Sequence, residues 1–299
     1  MSVQRGVYFL ANDRVRELVI VFLNSFRRSN PDIALCLIPF DDDFEDVASL
    51  RFRYDFSVWQ DPEPLRRCDE FSLAFHGRPQ GHFRKLAAWE GAYEEFVYID
   101  SDTAVLRNID FVFTHLDDFG FVVATSHVPG RAWKDSIGQA GKLTPEQFEY
   151  AANTGFVASR KGALTLSRIA DSLPAARELA PHMKLGYEQP LLNYLMVTSG
   201  LPYTSLRRLR ATTGDQSIPG EVYAWTPGVV ARDGEVVEPA SPPTLLVHWT
   251  EPVKPTQPDK RAVPLYELWQ HYRNLPAPQS RTQSRIPSQM QSRIQNRRA

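Results

Sequence analysis

Two carboxylates directly follow an apolar run in the first half of the chain. The run Glu95–Ile99 predicts a buried strand, and Asp100 and Asp102 come at its end with one residue between them. Divalent cations such as Mn²⁺ and Mg²⁺ prefer oxygen ligands and are commonly bound by one or two carboxylates together with the phosphates of a substrate. Aspartate is also common in surface turns. The pair alone therefore leaves both a metal site and an ordinary turn open.

A histidine ends a second apolar run, Leu245–Val247, near the other end of the chain. At the end of a strand, His248 could be a third metal ligand, or a core side chain that bonds a backbone carbonyl. Lys254 follows six residues later, where its ammonium group could contact a phosphate as a point charge or could lie in solvent.

Further polar side chains adjoin predicted helices and strands. Gly81–Leu86 begins a predicted helix and includes Lys85, and a helix N-terminus with cationic side chains suits an anion. Asn153 precedes a predicted strand, whereas Glu188 and Gln189 begin a later predicted helix. Each of these groups could bind an anionic or hydroxylated ligand, and each could equally be a helix cap or a solvent-exposed surface.

The beginning of the chain predicts the framework that would position these side chains. Gly6–Ala11 is typical of a buried strand, Leu18–Phe26 has helical spacing, and Ile33–Phe40 predicts a second strand. A β-α-β order implies a parallel pair joined by a right-handed crossover. Ligands of such sheets bind at the carboxyl ends of the strands. We therefore expect an α/β fold with its site at that edge.

Later segments have weaker patterns. Arg51–Val58 is compatible with a strand, whereas Asp61–Phe75 holds two prolines and is compatible with a loop or a short helix. Residues 211–243 are rich in Gly and Pro and show little periodicity. The sequence therefore assigns no regular structure to this last region.

The charge balance argues against a dedicated nucleic-acid binder. The 299 residues include 34 basic and 35 acidic side chains, which gives a formal net charge of −1. Residues 276–299 hold five Arg and no acid, which leaves 29 basic against 35 acidic side chains in residues 1–275. Gln, Ser, Arg and Pro make up 17 of the last 24 residues, a composition typical of disorder. We expect one folded domain, residues 1–275, and a disordered basic tail, residues 276–299.

The remaining composition predicts a cytoplasmic protein. Cys36 and Cys68 are too few for a disulfide framework or a structural zinc site. The N-terminal segment lacks the pattern of a signal peptide. Every apolar run is far shorter than the roughly 20 residues that a transmembrane helix needs, so we expect no transmembrane segment.

Taken together, these motifs resemble glycosyltransferase family 8, the retaining sugar transferases that include glycogenin and bacterial lipopolysaccharide galactosyltransferases. The best match runs from Phe83–Trp89 through Tyr98–Phe113, where a Lys-Leu helix, an Asp-x-Asp strand end and an Asn-Ile-Asp helix start follow one another. Similar motifs lie at Val7–Asn12, Asn153–Phe156, Tyr187–Asn193 and from Val247 to Pro255. The resemblance implies a GT-A-type α/β fold, with a Rossmann-like mixed sheet flanked by helices.

The resemblance also implies an activity, namely the metal-dependent transfer of a hexose from a nucleotide-diphosphate sugar, with UDP as the expected nucleotide. The anomeric configuration would be retained. Asp100, Asp102 and His248 would bind Mn²⁺ or Mg²⁺, and the cation would in turn bind the diphosphate of the donor. The acceptor would be a hydroxyl group of a glycan, a lipid or a small molecule, and the protein could form a homodimer.

By the same resemblance, the remaining motif residues contact the donor. The nucleotide-sugar-binding residues would be Ala11, Asn12, Lys85, Ser101, Asn153, Gln189 and Lys254. Ala11 and Asn12 would lie near the base, whereas Asn153 and Gln189 would bond hydroxyls of the transferred sugar. Glu188 and Gln189 would be the catalytic residues, and the family has no firmly assigned protein nucleophile.

Two positions depart from the family pattern. Glu188 stands where the family usually has Asp, and Glu251 stands at the glycine of its His-x-x-Gly-x-x-Lys-Pro ending. Because a carboxylate beside a diphosphate would repel it, one alternative is a nucleotide-sugar-binding protein without turnover. A second alternative is a haloacid-dehalogenase-like phosphatase, which also has an Asp-x-Asp strand end. Its usual threonine lies two residues after the second Asp, whereas Thr103 follows immediately.

Overall fold

The computed structural model describes residues 3–250, Pro255 and residues 263–276. Lys254, Glu251 and the predicted disordered tail beyond residue 276 lie outside these residues. The strands of the described part are β1 (Arg5–Ala11), β2 (Ala34–Pro39), β3 (Ser57–Val58), β4 (Glu95–Ile99), β5 (Thr103–Val105), β6 (Phe121–Val123), β7 (Phe156–Arg160), β8 (Tyr203–Ser205), β9 (Gly220–Tyr223), β10 (Val230–Arg232), β11 (Glu235–Glu238) and β12 (Thr244–His248).

Helices connect most of these strands. They are α1 (Arg16–Ser29), α2 (Glu45–Ser49), α3 (Arg51–Tyr54), α4 (Pro62–His76), α5 (Asp110–Thr114), α6 (Pro145–Tyr150), α7 (Leu166–Leu179), α8 (Gln189–Thr198), α9 (Leu206–Thr213) and α10 (Tyr266–Asn274). The predicted helix around Lys85 is a 3₁₀ helix, Gly81–Glu90. Among the described residues, no helix has both the length and the apolar character that crossing a membrane requires.

Seven strands form a mixed central sheet in the order β3-β2-β1-β4-β7-β6-β8. β1 runs parallel to β2 and to β4, as the predicted β-α-β unit requires, whereas β7 runs antiparallel to both of its neighbours. The two faces of β1 are both covered, because Val7 and Phe9 join one buried cluster and Tyr8 and Leu10 join the other. This mixed α/β layering confirms the predicted fold class.

A second, three-stranded sheet forms beside the end of β4. β12 pairs antiparallel with β5 and parallel with β9, so that His248 lies opposite Thr103 and Tyr223. The sequence predicts only β12 of these three strands. Because Thr103 follows Asp102 in the chain, this pairing brings the histidine next to the two carboxylates.

The segment after residue 50 corrects one prediction. Arg51–Val58, whose sequence is compatible with a strand, is instead the short helix α3 followed by the two-residue strand β3. Asp55 ends the helix in the left-handed conformation, with a φ of 52°. Residues at alternate positions of this segment do not share one face as they would in a strand, because Phe52 is exposed and Tyr54 is buried.

The two prolines of the next segment begin a helix instead of preventing one. Asp61 caps α4 by accepting a hydrogen bond from the Glu63 N–H, and Pro62 occupies the first helical position, where no N–H is needed. Cys36 and Cys68 are both free and buried.

Candidate functional site

The strand ends that carry the polar motifs open into one cleft with a volume of about 830 Å³. Lys254 lies outside the described residues, but every other residue to which the sequence analysis gives a role lines this cleft. These residues are Ala11, Asn12, Lys85, Asp100, Ser101, Asp102, Asn153, Glu188, Gln189 and His248. The cleft lies at the carboxyl edge of β1 and β4, where an α/β sheet is expected to bind its ligand.

The two carboxylates and the histidine form a compact group. Asp100, Asp102 and His248 each offer a ligand atom, and these atoms lie within 4.8 Å of one another. His248 Nε2 is 3.1 Å from Asp102 Oδ1 and 3.9 Å from Asp100 Oδ2. Backbone hydrogen bonds fix the group, because the Trp249 N–H donates to the Asp102 carbonyl and the Asp100 N–H donates to the Gly155 carbonyl.

A buried glutamate that the sequence analysis does not identify orients the imidazole. Glu221 Oε1 accepts hydrogen bonds from His248 Nδ1 at 2.8 Å and from Asn153 Nδ2 at 2.7 Å. Because a carboxylate only accepts, Nδ1 carries the hydrogen and Nε2 faces Asp100 and Asp102. Ligand histidines in metal proteins are commonly held in this way by a carboxylate behind the ring.

The donor set fits a divalent cation of the Mn²⁺ or Mg²⁺ type, since it combines two carboxylates with one oriented imidazole. Burial lowers the pKa of His248, but the Asp102 and Glu221 carboxylates outweigh this effect and raise the pKa to about 10. At neutral pH His248 therefore carries a proton on Nε2 as well, and its positive charge offsets negative charge of the carboxylates. A cation bound there would replace that proton.

Replacing Glu221 by Gln is expected to weaken Mn²⁺ binding by about 10–100-fold, the usual cost of losing an outer-shell partner of a metal ligand. The amide keeps the size of the side chain but removes the charge that holds the Nδ1 hydrogen. Calorimetric titration with Mn²⁺ measures the effect, and Glu235→Gln on exposed β11 is the matched control. Equal Mn²⁺ affinities in both variants would show that Glu221 does not support the site.

A second buried network surrounds Lys85. Its Nζ lies 2.7 Å from Glu188 Oε1 and 3.3 Å from Asp100 Oδ1, and the side chains of Lys85 and Glu188 are each only 3% exposed. Burial lowers the pKa of Lys85, but Asp100 and Glu188 outweigh it and hold the pKa above its usual value. Burial also raises the pKa of Glu188, and Lys85 reverses this shift, so both groups are charged at neutral pH.

Tyr98 belongs to the same network and is not identified from the sequence. Its hydroxyl donates to Asp100 Oδ1 at 2.7 Å, and Lys85 Nζ lies 4.6 Å from the centre of its ring. The feature of the sequence that could have identified Tyr98 is its position two residues before Asp100, because this spacing places both side chains on one face of the strand. Lys85 and Tyr98 thus both bond Asp100 Oδ1, while Asp100 Oδ2 faces His248.

The polar residues beside α8 are also fixed by hydrogen bonds. Thr154 Oγ1 donates to Glu188 Oε1 at 2.8 Å, and the Thr154 N–H donates to Gln189 Oε1 at 3.3 Å. Gln189 Nε2 donates to the Arg131 carbonyl at 3.1 Å. Asn153 Nδ2 donates to Glu221 and, at 2.9 Å, to the Tyr223 hydroxyl. The predicted sugar-binding residues thus share one network with the predicted metal ligands.

Gly155 leaves the space that the side chains of Asp100 and His248 occupy. A Cβ at this position would lie 2.6 Å from His248 Cε1 and 2.8 Å from Asp100 Oδ2, closer than real Cβ contacts. Gly155→Ala is therefore expected to displace a ligand and to weaken Mn²⁺ binding by about tenfold or more. Gly138→Ala is the matched control, since its Cβ would meet only Phe148 at 3.6 Å. Mn²⁺ titration that fails to separate the two variants would contradict this placement.

The other end of the cleft is formed by the end of β1. Ser101 Oγ donates to the Leu10 carbonyl at 2.9 Å, which ties the Asp-x-Asp turn to β1. Asn12 Nδ2 donates to Asp41 Oδ2 at 2.8 Å, and Arg14 also pairs with Asp41. Ala11 and Asn12 are buried at this end, where the resemblance implies the base.

The fold and this cleft define a GT-A architecture, the fold of several solved glycosyltransferases. A structure of galactosyltransferase LgtC in complex with donor and acceptor sugar analogs is 15% identical, with a TM-score of 0.60 over 90% of this chain and 95% of that chain. An active-site mutant of LgtC gives a TM-score of 0.62 at 15% identity, over 89% of this chain and 94% of that chain.

The bifunctional glycosyltransferase WbbM gives a TM-score of 0.61 at 11% identity, over 92% of this chain and 50% of that chain. No protein-family model matches this chain, and no curated protein matches it. The similarity at these identities establishes the fold alone.

Proposed function

We propose that this chain is a metal-dependent, retaining glycosyltransferase of family 8 that moves a hexose from a nucleotide-diphosphate sugar, with UDP as the nucleotide, to a hydroxyl acceptor. The observation that carries the proposal is the group formed by Asp100, Asp102 and His248, with Glu221 behind the imidazole. This group lies at the strand-end cleft of a GT-A fold. LgtC, which shares the fold, was solved with donor and acceptor sugar analogs.

In this proposal Asp100, Asp102 and His248 hold Mn²⁺ or Mg²⁺. When bound, the cation offsets the negative charge that develops on the leaving diphosphate. The cation also explains how an acidic cleft can bind an anionic donor, because a divalent ion inverts the local charge. Ala11 and Asn12 then lie near the base, and Lys85 and Ser101 contact the sugar or ribose side of the donor.

The transferred sugar lies, in this proposal, against Asn153, Glu188 and Gln189. Glu188 keeps its negative charge through the Lys85 ion pair, so it stabilises positive charge at the anomeric carbon as the bond to the leaving group lengthens. Gln189 and Asn153 orient the sugar hydroxyls. Because Lys85 and Thr154 already hold Glu188, we assign it an electrostatic and positioning role, and we name no nucleophile.

A donor panel tests the proposal. UDP-, GDP- and ADP-hexoses are added with Mn²⁺, and both the thermal shift and the release of nucleoside diphosphate are measured. We expect stabilisation by UDP-hexoses only in the presence of the metal; a ligand at 100 times its Kd contributes about 2.7 kcal/mol. Binding without release of UDP would favour the non-catalytic alternative. Release of phosphate from a simple phosphomonoester, without donor binding, would favour the phosphatase alternative.

A further inference from the structure

One tryptophan is exposed inside the cleft. Four others, Trp89, Trp133, Trp249 and Trp269, are buried, whereas Trp225 is 44% exposed and lines the cleft. Among the described residues, the strongly exposed aromatic side chains are Phe52, Tyr187 and Trp225, and the last two both line the cleft. Exposed aromatic surface concentrated in one cleft indicates a ligand that presents an apolar face.

The indole is held in place by contacts on several sides. Its ring stacks on Tyr223, with 5.3 Å between the ring centres and 18° between the planes. Trp225 Nε1 donates to Thr250 Oγ1 at 3.1 Å. The Arg131 guanidinium lies 3.9 Å from the centre of the Tyr223 ring and 5.4 Å from that of Trp225. A ring fixed before binding loses little freedom when a ligand stacks on it.

Hydrogen bonds connect the platform formed by Trp225, Tyr223 and Arg131 to the residues proposed for the transferred sugar. The Tyr223 hydroxyl accepts from Asn153 Nδ2, and the Arg131 carbonyl accepts from Gln189 Nε2. In contrast, Ala11 and Asn12, the residues proposed for the base, lie at the end of β1, where Asn12 donates a hydrogen bond to Asp41. The platform is therefore tied to the reacting end of the donor, where an acceptor has to approach.

We propose that Trp225 and Arg131 form the acceptor subsite and that the acceptor is a glycoside whose terminal pyranose stacks on the indole. One face of a pyranose ring carries C–H groups and suits an aromatic surface, while its rim carries hydroxyls that suit the guanidinium donors of Arg131. The inference rests on the proposed function, since it names the acceptor class for the same cleft. Trp225 binds in this role and takes no part in bond making.

Saturation-transfer NMR with the full chain, UDP and Mg²⁺ tests the subsite. The probes are methyl β-D-galactopyranoside, methyl β-D-glucopyranoside and methyl α-D-mannopyranoside. We expect at least one probe to receive saturation at its ring C–H protons. Trp225→Ala is expected to weaken its binding about tenfold or more, whereas Trp225→Phe keeps most of it. Phe52→Ala, at an exposed aromatic outside the cleft, is the matched control and should bind like the unmodified chain.

Calorimetric titration with UDP and Mg²⁺ separates failure of the subsite from failure of the proposed function. We expect Trp225→Ala to keep the UDP affinity of the unmodified chain. If that variant lost UDP affinity to the same extent as glycoside affinity, the indole would serve the donor and the acceptor proposal would be overturned. A chain that binds UDP but none of the three glycosides would also overturn it, whereas a chain that binds no UDP contradicts the proposed function itself.

Discussion

Asp102→Asn is expected to weaken the Mn²⁺-dependent binding of UDP by at least about a hundredfold. Losing an outer-shell partner of a metal ligand costs roughly 10–100-fold in affinity, and Asp102 is itself a proposed ligand, 3.1 Å from His248 Nε2. The fold should remain intact, because the Asp102 carbonyl still accepts from the Trp249 N–H. Calorimetry with UDP and Mn²⁺ measures the loss, and circular dichroism checks the fold.

The matched control for this variant is Asp118→Asn, which removes one carboxylate from an exposed position outside the cleft. We expect it to bind UDP as the unmodified chain does. If Asp102→Asn kept that affinity too, the assignment of the metal ligands would be wrong. A parallel loss in both variants would point to the net charge of the chain instead of to a site.

Lys85→Met is expected to lower the free energy of unfolding by about 3–5 kcal/mol, the usual cost of breaking a buried ion pair from one side. The reason is that Glu188 would remain 3% exposed with its negative charge and without its cationic partner. The second replacement Glu188→Gln, added to Lys85→Met, removes the orphaned charge and should recover part of the loss. Urea unfolding of the two variants measures both steps.

A surface ion pair of the same chemistry provides the control. Lys142 lies 2.8 Å from Glu178, but the two side chains are 57% and 62% exposed. Lys142→Met should therefore change the free energy of unfolding much less than Lys85→Met does, because solvent screens the exposed pair. A loss below 1 kcal/mol for Lys85→Met would contradict the view that Lys85 and Glu188 are both charged in the folded protein. Full recovery of activity in the double variant would exclude a role for Lys85 in donor binding.

The parts of the site that depend on local pattern could be predicted from the sequence. An apolar run followed by Asp100 and Asp102 indicates a strand end, and the β-α-β unit at the start of the chain indicates which edge the ends share. The resemblance then relates these residues to His248, Asn153 and Gln189, which line the same cleft in the structure.

Glu221 could not be predicted, because it depends on pairing between distant segments. It lies in residues 211–243, where Gly and Pro remove the periodicity that identifies strands. Its strand β9 is recognisable only from its parallel pairing with β12, and β12 in turn pairs with the three-residue strand β5. The exposed platform of Trp225 follows directly from β9 and was missed for the same reason.

The error at Arg51–Val58 has a local cause. The aromatic residues of this segment do not share one face, because Phe52 is exposed whereas Tyr54 and Phe56 are both buried in the core. The Asp55 turn with positive φ, which ends α3, was not recognisable as a helix terminus, because Gly is the residue usually found in that conformation.

Titration of the full chain with UDP, once with Mn²⁺ and once after removal of divalent cations with EDTA, tests most directly whether a metal-bridged nucleotide site exists. We expect saturable binding at one site per chain with Mn²⁺ and a loss of at least about a hundredfold in affinity with EDTA. Equal affinities under the two conditions, or no binding with Mn²⁺, would contradict a nucleotide-sugar site held by Asp100, Asp102 and His248.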